Sequence, residues 1–294
     1  MKKTLIALAA VAVTGVASAQ VTMSGTVAFG YANDTVAGAK TSGYGTDTAK
    51  IAFAASEDLG GGLKLNASMF IDNLVEGDNA TGGNVVLGLT GGFGSVQFSS
   101  AEAGDFLPVD GLTVSSDGTD ADRITLTAPT MAGVTVQVIA QDDASITNGA
   151  AIDADASGNG VLTVAANYTA GPLSIDVVRA DFSVAARNTR TGLKATYDFG
   201  VAKVSYGGMK EDNVAADTDV TETGLTISAP VGPVSVAYSR ATSKTGTAAK
   251  LNGSSVSVSY ALSNRTSVNF YSEAFEVSGA TKTKQQSLLL SHSF

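Results

Sequence analysis

The sequence predicts an all-β protein, a transmembrane antiparallel β-barrel of sixteen strands, and three observations predict it. Apolar and polar residues alternate with a period of two along most of the chain. Tight turns and long polar connections take turns in separating the alternating runs. Beyond residue 20, no apolar run approaches the roughly 20 residues a membrane helix needs; the longest are fragments such as residues 85–89 and 288–290.

The period is clear from the first strand. In VTMSGTVAFGY, Val21, Met23, Val27, Phe29 and Tyr31 share one parity and Thr22, Ser24, Thr26 and Ala28 the other. A strand sends those two sets to opposite faces. The same division separates Leu63, Leu65, Ala67, Met69 and Ile71 from Lys64, Asn66, Ser68 and Asp72, and Ile124, Leu126 and Ala128 from Arg123, Thr125 and Thr127.

Short turns fall at residues 59–62, 91–94, 129–133, 169–172, 198–201, 229–233 and 262–265. Between them lie polar connections rich in Asp, Thr and Gly, near residues 34–47, 74–83, 102–121, 143–160, 183–189, 212–220, 242–251 and 277–283. Seven turns and eight loops imply sixteen strands. Alternation of short and long connections is the pattern of outer-membrane barrels, with turns on the periplasmic side and loops outside. An even count returns both ends to the periplasmic side, and closure leaves no edge amide in lipid. Tyr168, Tyr197 and Tyr260 precede tight turns, while Phe29, Tyr31, Tyr238 and Phe270 are expected nearer the loops, as two aromatic girdles.

The leader fits export. Lys2 and Lys3 precede an apolar run from Leu5 to Val16 and then Ala17-Ser18-Ala19 before Gln20, the pattern of a cleaved signal peptide over residues 1–19 ahead of a barrel over 20–294. Removing those 19 residues, two lysines among them, leaves 275 residues with 16 Lys and Arg against 27 Asp and Glu. So acidic a chain lacks the clustered cations that bind nucleic acid or an anionic lipid surface. With no cysteine, it cannot rest on disulfides.

The charges take sides. Lys50, Lys64, Asp72, Arg123, Asp176, Lys194, Lys203 and Glu273 all fall opposite the apolar stripe. A charge facing lipid near midplane costs about 2–4 kcal/mol, so these residues are expected to face the lumen. A barrel of eight strands would need them paired, whereas sixteen strands can keep them in water. The lumen parity otherwise carries mostly Ser, Thr, Asn and Ala, with few rings to form a sugar slide.

The chain closes on SLLLSHSF, with Leu288, Leu290, His292 and Phe294 on one face. Together with QVTMSGTVAFGY (20–31) and DRITLTAPTMAGVTVQV (122–138), this resembles the Gram-negative general porins, in particular the trimeric porins of proteobacteria. The resemblance implies a water-filled channel for ions and small hydrophilic solutes, a homotrimer in contact with outer-membrane lipid and lipopolysaccharide, and a terminal Phe294 read by the barrel assembly machinery. It also implies that the third loop folds inward, anchored by Phe106, Leu107 and Leu112. Glu102, Asp105, Asp110, Asp117 and Asp120 would then form the constriction against a wall bearing Lys50, Lys64 and Arg123. That loop, AEAGDFLPVDGLTVSSDGTDAD, departs from the family's Pro-Glu-Phe-Gly-Gly motif, which only Asp105-Phe106 and Pro108 to Gly111 echo.

Catalysis has little to work with. His292 is the only histidine, it lies on the lipid parity, and there is no cysteine, so neither a triad nor a His-rich metal site is expected. No cofactor is expected beyond a calcium candidate at Asp153, Asp155 and Ser157. There Val164 stands where a calcium loop places its bidentate Glu, which makes a solvated acidic loop the stronger reading. A substrate-specific channel, or a structural or adhesin-type barrel acting through its outer loops, remains the alternative.

Overall fold

Strands rich in Val, Thr, Ile and Tyr, bounded by glycine turns, fold here as the alternation requires. The computed structural model describes residues 20–77, 79–101, 121–142, 160–183, 187–214, 218–277 and 282–294. Its first eight strands are β1 (Gln20–Val36), β2 (Ala39–Gly60), β3 (Leu63–Asp72), β4 (Thr81–Gly91), β5 (Gly94–Ala101), β6 (Ala121–Thr127), β7 (Val134–Asp142) and β8 (Val161–Ala170). The second eight are β9 (Leu173–Phe182), β10 (Arg187–Asp198), β11 (Lys203–Asn213), β12 (Val220–Val231), β13 (Val234–Thr245), β14 (Leu251–Ala261), β15 (Thr266–Val277) and β16 (Thr283–Ser293). Each pairs with its sequence neighbours, and β1 pairs antiparallel with β16, closing the barrel. Sixteen strands about 4.8 Å apart and tilted about 40° give a backbone radius of about 16 Å, too wide for side chains alone to fill.

One connection differs from expectation. Residues 34–47 are not a loop: β1 and β2 continue as a paired hairpin to a two-residue turn at Ala37 (φ 52°) and Gly38 (φ 83°). Positive φ at both positions is the hairpin turn whose twist matches the strands. Gly43, Gly45 and the bulge that leaves Asp47 unpaired between Thr46 and Thr48 hide the alternation in sequence.

The seam is made at the carboxyl terminus. The Phe294 N–H donates to the Gly25 carbonyl and the Gly25 N–H to the Phe294 carbonyl, both at 3.0 Å. The Phe294 ring lies over Gly25, where a Cβ would stand 2.3 Å from its Cζ. His292 faces outward on β16, its Nδ1 within 2.9 Å of the Thr266 hydroxyl.

The outward face is apolar, with Val21, Met23, Phe29, Leu87, Phe98, Leu126, Leu162, Leu193, Leu288 and Leu290 all exposed. Tyr168, Tyr197 and Tyr260 lie beside the tight turns as expected. Tyr238 and Phe270 do not reach the loop ends: each is four residues from the turn end of a strand of 12 residues. The apolar band is short on that side of the barrel.

Candidate functional site

Register sets which charges face inward and at what depth. Lys50 on β2 sits with its Nζ 3.2 Å from the centroid of the Phe70 ring on β3. Phe70 in turn lies against Gly83, where a Cβ would meet the ring at 1.7 Å. The register shift between Met69 and Ile71 against β4 makes this niche. Lys64 pairs in register with Asp58 beside the turn at Gly60 to Gly62, about 20 Å nearer the periplasmic mouth than Lys50. Arg123 on β6 is steadied by β7, its Nε donating to Gln141 Oε1 at 3.0 Å. The three wall cations therefore share the lumen face but stand at different depths.

The opposite wall is a polar lattice. Asn167, Asp176 and Lys194 occupy one register row across β8, β9 and β10. Asn167 Nδ2 donates to Asp176 Oδ1 at 2.6 Å, and Lys194 Nζ stands 3.7 Å from Asp176 Oδ2. Higher up, Arg190 on β10 and Glu211 on β11 are register partners. Arg190 Nε donates to Glu211 Oε2 at 2.7 Å, and Nη2 donates to the same oxygen. Both residues are 5 % exposed, and the guanidinium also lies over the Phe182 ring, 5.5 Å from its centroid. On β15 the Tyr271 hydroxyl donates to Glu273 Oε2 at 2.9 Å.

Strand parity puts six cations on the described inner wall: Lys50, Lys64, Arg123, Arg190, Lys194 and Lys203. Against them stand eight carboxylates: Asp34, Asp58, Asp72, Asp176, Asp198, Glu211, Glu222 and Glu273. The expected constriction residues Glu102, Asp105, Asp110, Asp117 and Asp120 lie outside the described residues, as do the calcium candidates Asp153, Asp155 and Ser157 and the leader. Among the described residues, no group of three or more His, Cys, Asp or Glu is placed to hold a metal ion.

Several wall residues escape a reading of parity alone. The Arg190–Glu211 pair requires the β10–β11 register, although Arg190 shares its parity with Lys194. Phe70, Phe182, Tyr271 and Phe275 add inward rings to a wall expected to have few. Phe70 is hidden because it follows Met69 inside an apolar run.

Residues 4–279 match the model of a family described as Gram-negative porin. The chain is 32% identical over 278 residues to outer membrane porin protein 32 of Delftia acidovorans, covering 80% of this chain and 77% of that one. Among solved structures, an anion-selective porin from Comamonas acidovorans superposes with a TM-score of 0.74 at 19% identity, covering 94% of this chain and 100% of that one. An engineered Rh. blastica porin superposes with a TM-score of 0.69 at 11% identity, again over 94% of this chain and 100% of that one.

Proposed function

This chain belongs to the Gram-negative porin family and forms an outer-membrane channel, and we propose that it passes ions and small hydrophilic solutes by passive diffusion through a lumen narrowed by an acidic third loop. The observation that carries the reading is the inner wall itself. It is charged and hydroxylated from rim to rim in a barrel about 16 Å in backbone radius, and such a wall is stable only in water.

The inward fold of residues 102–120 has separate support. The loop that leaves β5 and returns on β6 starts from the lowest part of the wall and carries Phe106, Leu107 and Leu112 as anchors.

Sign follows from the charges. Eight wall carboxylates against six cations, joined by five acids and no base in the loop, give a negative lumen and a weak preference for cations. The selectivity named for the Comamonas porin belongs to that protein; at 19% identity the likeness concerns the fold. Assembly as a homotrimer, recognition of Phe294 by the assembly machinery and removal of residues 1–19 complete the reading. Single-channel conductance of the refolded protein in planar bilayers tests it: stepwise ohmic openings are expected, and a bilayer that stays closed with folded barrel inserted overturns the diffusion pore.

A further inference from the structure

The lumen face of β3 breaks its own pattern once. Lys64, Asn66, Ser68 and Asp72 share the inward parity with Phe70, the single apolar side chain in a polar series. A ring turned toward a water-filled lumen forgoes part of the gain of burial, so its place needs another reason.

Its neighbours supply one. Between Met69 and Ile71 the register with β4 shifts, which sets the Phe70 ring against Gly83. A Cβ at Gly83 would stand 1.7 Å from Phe70 Cε2 and 2.2 Å from Cδ2 and Cζ, so the ring fills the space that a side chain would take. Wedged there, the ring turns a face to β2, and Lys50 Nζ stands over it, 3.2 Å from the centroid. Lys50 has a competing partner. The β2–β3 ladder ends at Ile51 and Ile71, and carried one residue further it would set Lys50 opposite Asp72. Among the described residues no ion pair joins the two, and Asp72 Oδ1 accepts the Asn73 N–H at 2.9 Å instead. The ammonium lies on Phe70, the register partner of Ala52, on the side of Lys50 away from Asp72. An ammonium over a ring face is attracted by the ring quadrupole while its free N–H groups keep their water, so it stays charged without crossing the lumen.

We propose, on the reading of the barrel as a water-filled diffusion channel, that Phe70 is a positioning residue that parks the Lys50 ammonium on the wall. It thereby sets how far this cation reaches into the path and leaves the Asp72 carboxylate unneutralised. The lysine stem is flexible along its four carbons. Once released, it is free to extend toward the axis, where it narrows the path and raises the positive potential along it. Gly83 belongs to the same device, because any larger residue there displaces the ring. The sign and width of the path then depend on where one long side chain lies, as well as on how many charges the wall carries.

Two measurements on the full refolded barrel test this. In detergent, the lysines are labelled with a small amine-reactive acetylating reagent, and peptide mass spectrometry compares the rate at Lys50 with those at Lys64 and Lys203 in the same chain. A cation–π contact at an exposed site holds an ammonium by about two- to fivefold, so F70L should label Lys50 faster by about that factor, with Lys64 and Lys203 unchanged. G83A leaves both partners in place but pushes the ring aside, and should do the same. In planar bilayers, F70L should lower single-channel conductance and move the reversal potential in a KCl gradient toward chloride; in a K50M background it should do neither. Equal labelling of Lys50 in wild type, F70L and G83A overturns the proposal. So does faster labelling of all three lysines together, which would make Phe70 a general support of the wall, or a shift in reversal potential that persists in K50M. A wild-type bilayer that stays closed would overturn the diffusion channel, while the labelling, which needs only a folded barrel, still decides where Lys50 lies.

Discussion

Replacing Gly25 with alanine tests how the barrel is closed. The new Cβ would stand 2.3 Å from Phe294 Cζ, 2.8 Å from Cε2 and 2.9 Å from the Lys50 carbonyl oxygen. The ring can swing aside, the backbone oxygen cannot, and overpacking of this kind costs about 1–3 kcal/mol. Phe294 is 48 % exposed, so its ring loses about half of its surface to the protein, and Phe294→Ala costs about 1 kcal/mol. In that background the ring contacts of the added methyl group vanish and only the Lys50 carbonyl remains. G25A is therefore expected to cost about 1 kcal/mol less beside F294A than in the wild type, a coupling that a double-mutant cycle resolves. Urea-titrated folding into phospholipid vesicles, followed by heat-modifiable gel mobility, measures all four corners. Equal cost of G25A in both backgrounds would show that the ring does not occupy the space over Gly25. Deleting Phe294 also removes the two seam hydrogen bonds, worth about 1 kcal/mol each. Assembly in cells should suffer far more than this stability difference, and normal outer-membrane levels of the deletion variant would end the claim that Phe294 is read as a signal.

Shortening residues 102–120 is expected to raise single-channel conductance, and an unchanged value would place the loop outside the lumen. Across a KCl gradient the reversal potential should report weak cation preference that fades as salt rises, because screening at physiological strength already acts over about 8 Å. Anion preference instead would mean that Lys50 and Arg123 govern the narrow point. Glu211→Gln removes one carboxylate that Arg190 bonds inside the wall and should lower stability by about 1–3 kcal/mol, the worth of a charge-assisted hydrogen bond, read as an earlier thermal loss of the fast-migrating folded form. Replacing both residues by methionine should recover most of that loss, and a single variant as stable as wild type would show that the pair carries no structural burden.

What could be read in the sequence follows from which constraints are strict. Lipid tolerates no unpaired amide and few charges, so parity, turn positions and strand number are written plainly, as in Val21 to Tyr31 or Ile124 to Ala128. Height is written far less plainly. Lys50 and Lys64 share a parity, yet one stands deep in the lumen against Phe70 and the other at the periplasmic mouth beside Asp58, because height depends on strand length and tilt. The same gap set Tyr238 and Phe270 too near the loops. Residues 34–47 read as a loop because Gly43, Gly45 and the bulge at Asp47 interrupt the period, although two positive φ angles at Ala37 and Gly38 let the hairpin continue.

The barrel separates what holds it together from what it does, and that separation predicts where substitutions are tolerated. Closure rests on the backbone ladder and on the outward apolar stripe, neither of which involves a lumen side chain. Lys50 and Glu273 each rest on one aromatic neighbour on the wall and Lys64 stands in register with Asp58, so their charge can change while the ladder stays intact. Arg190 and Glu211 are different. At 5 % exposure they are charges removed from water inside a wall that is otherwise wet, and a buried charge is tolerable only while its partner is present. Lumen function and fold stability meet there, and at that height on β10 and β11 a change of charge should alter conductance and stability together.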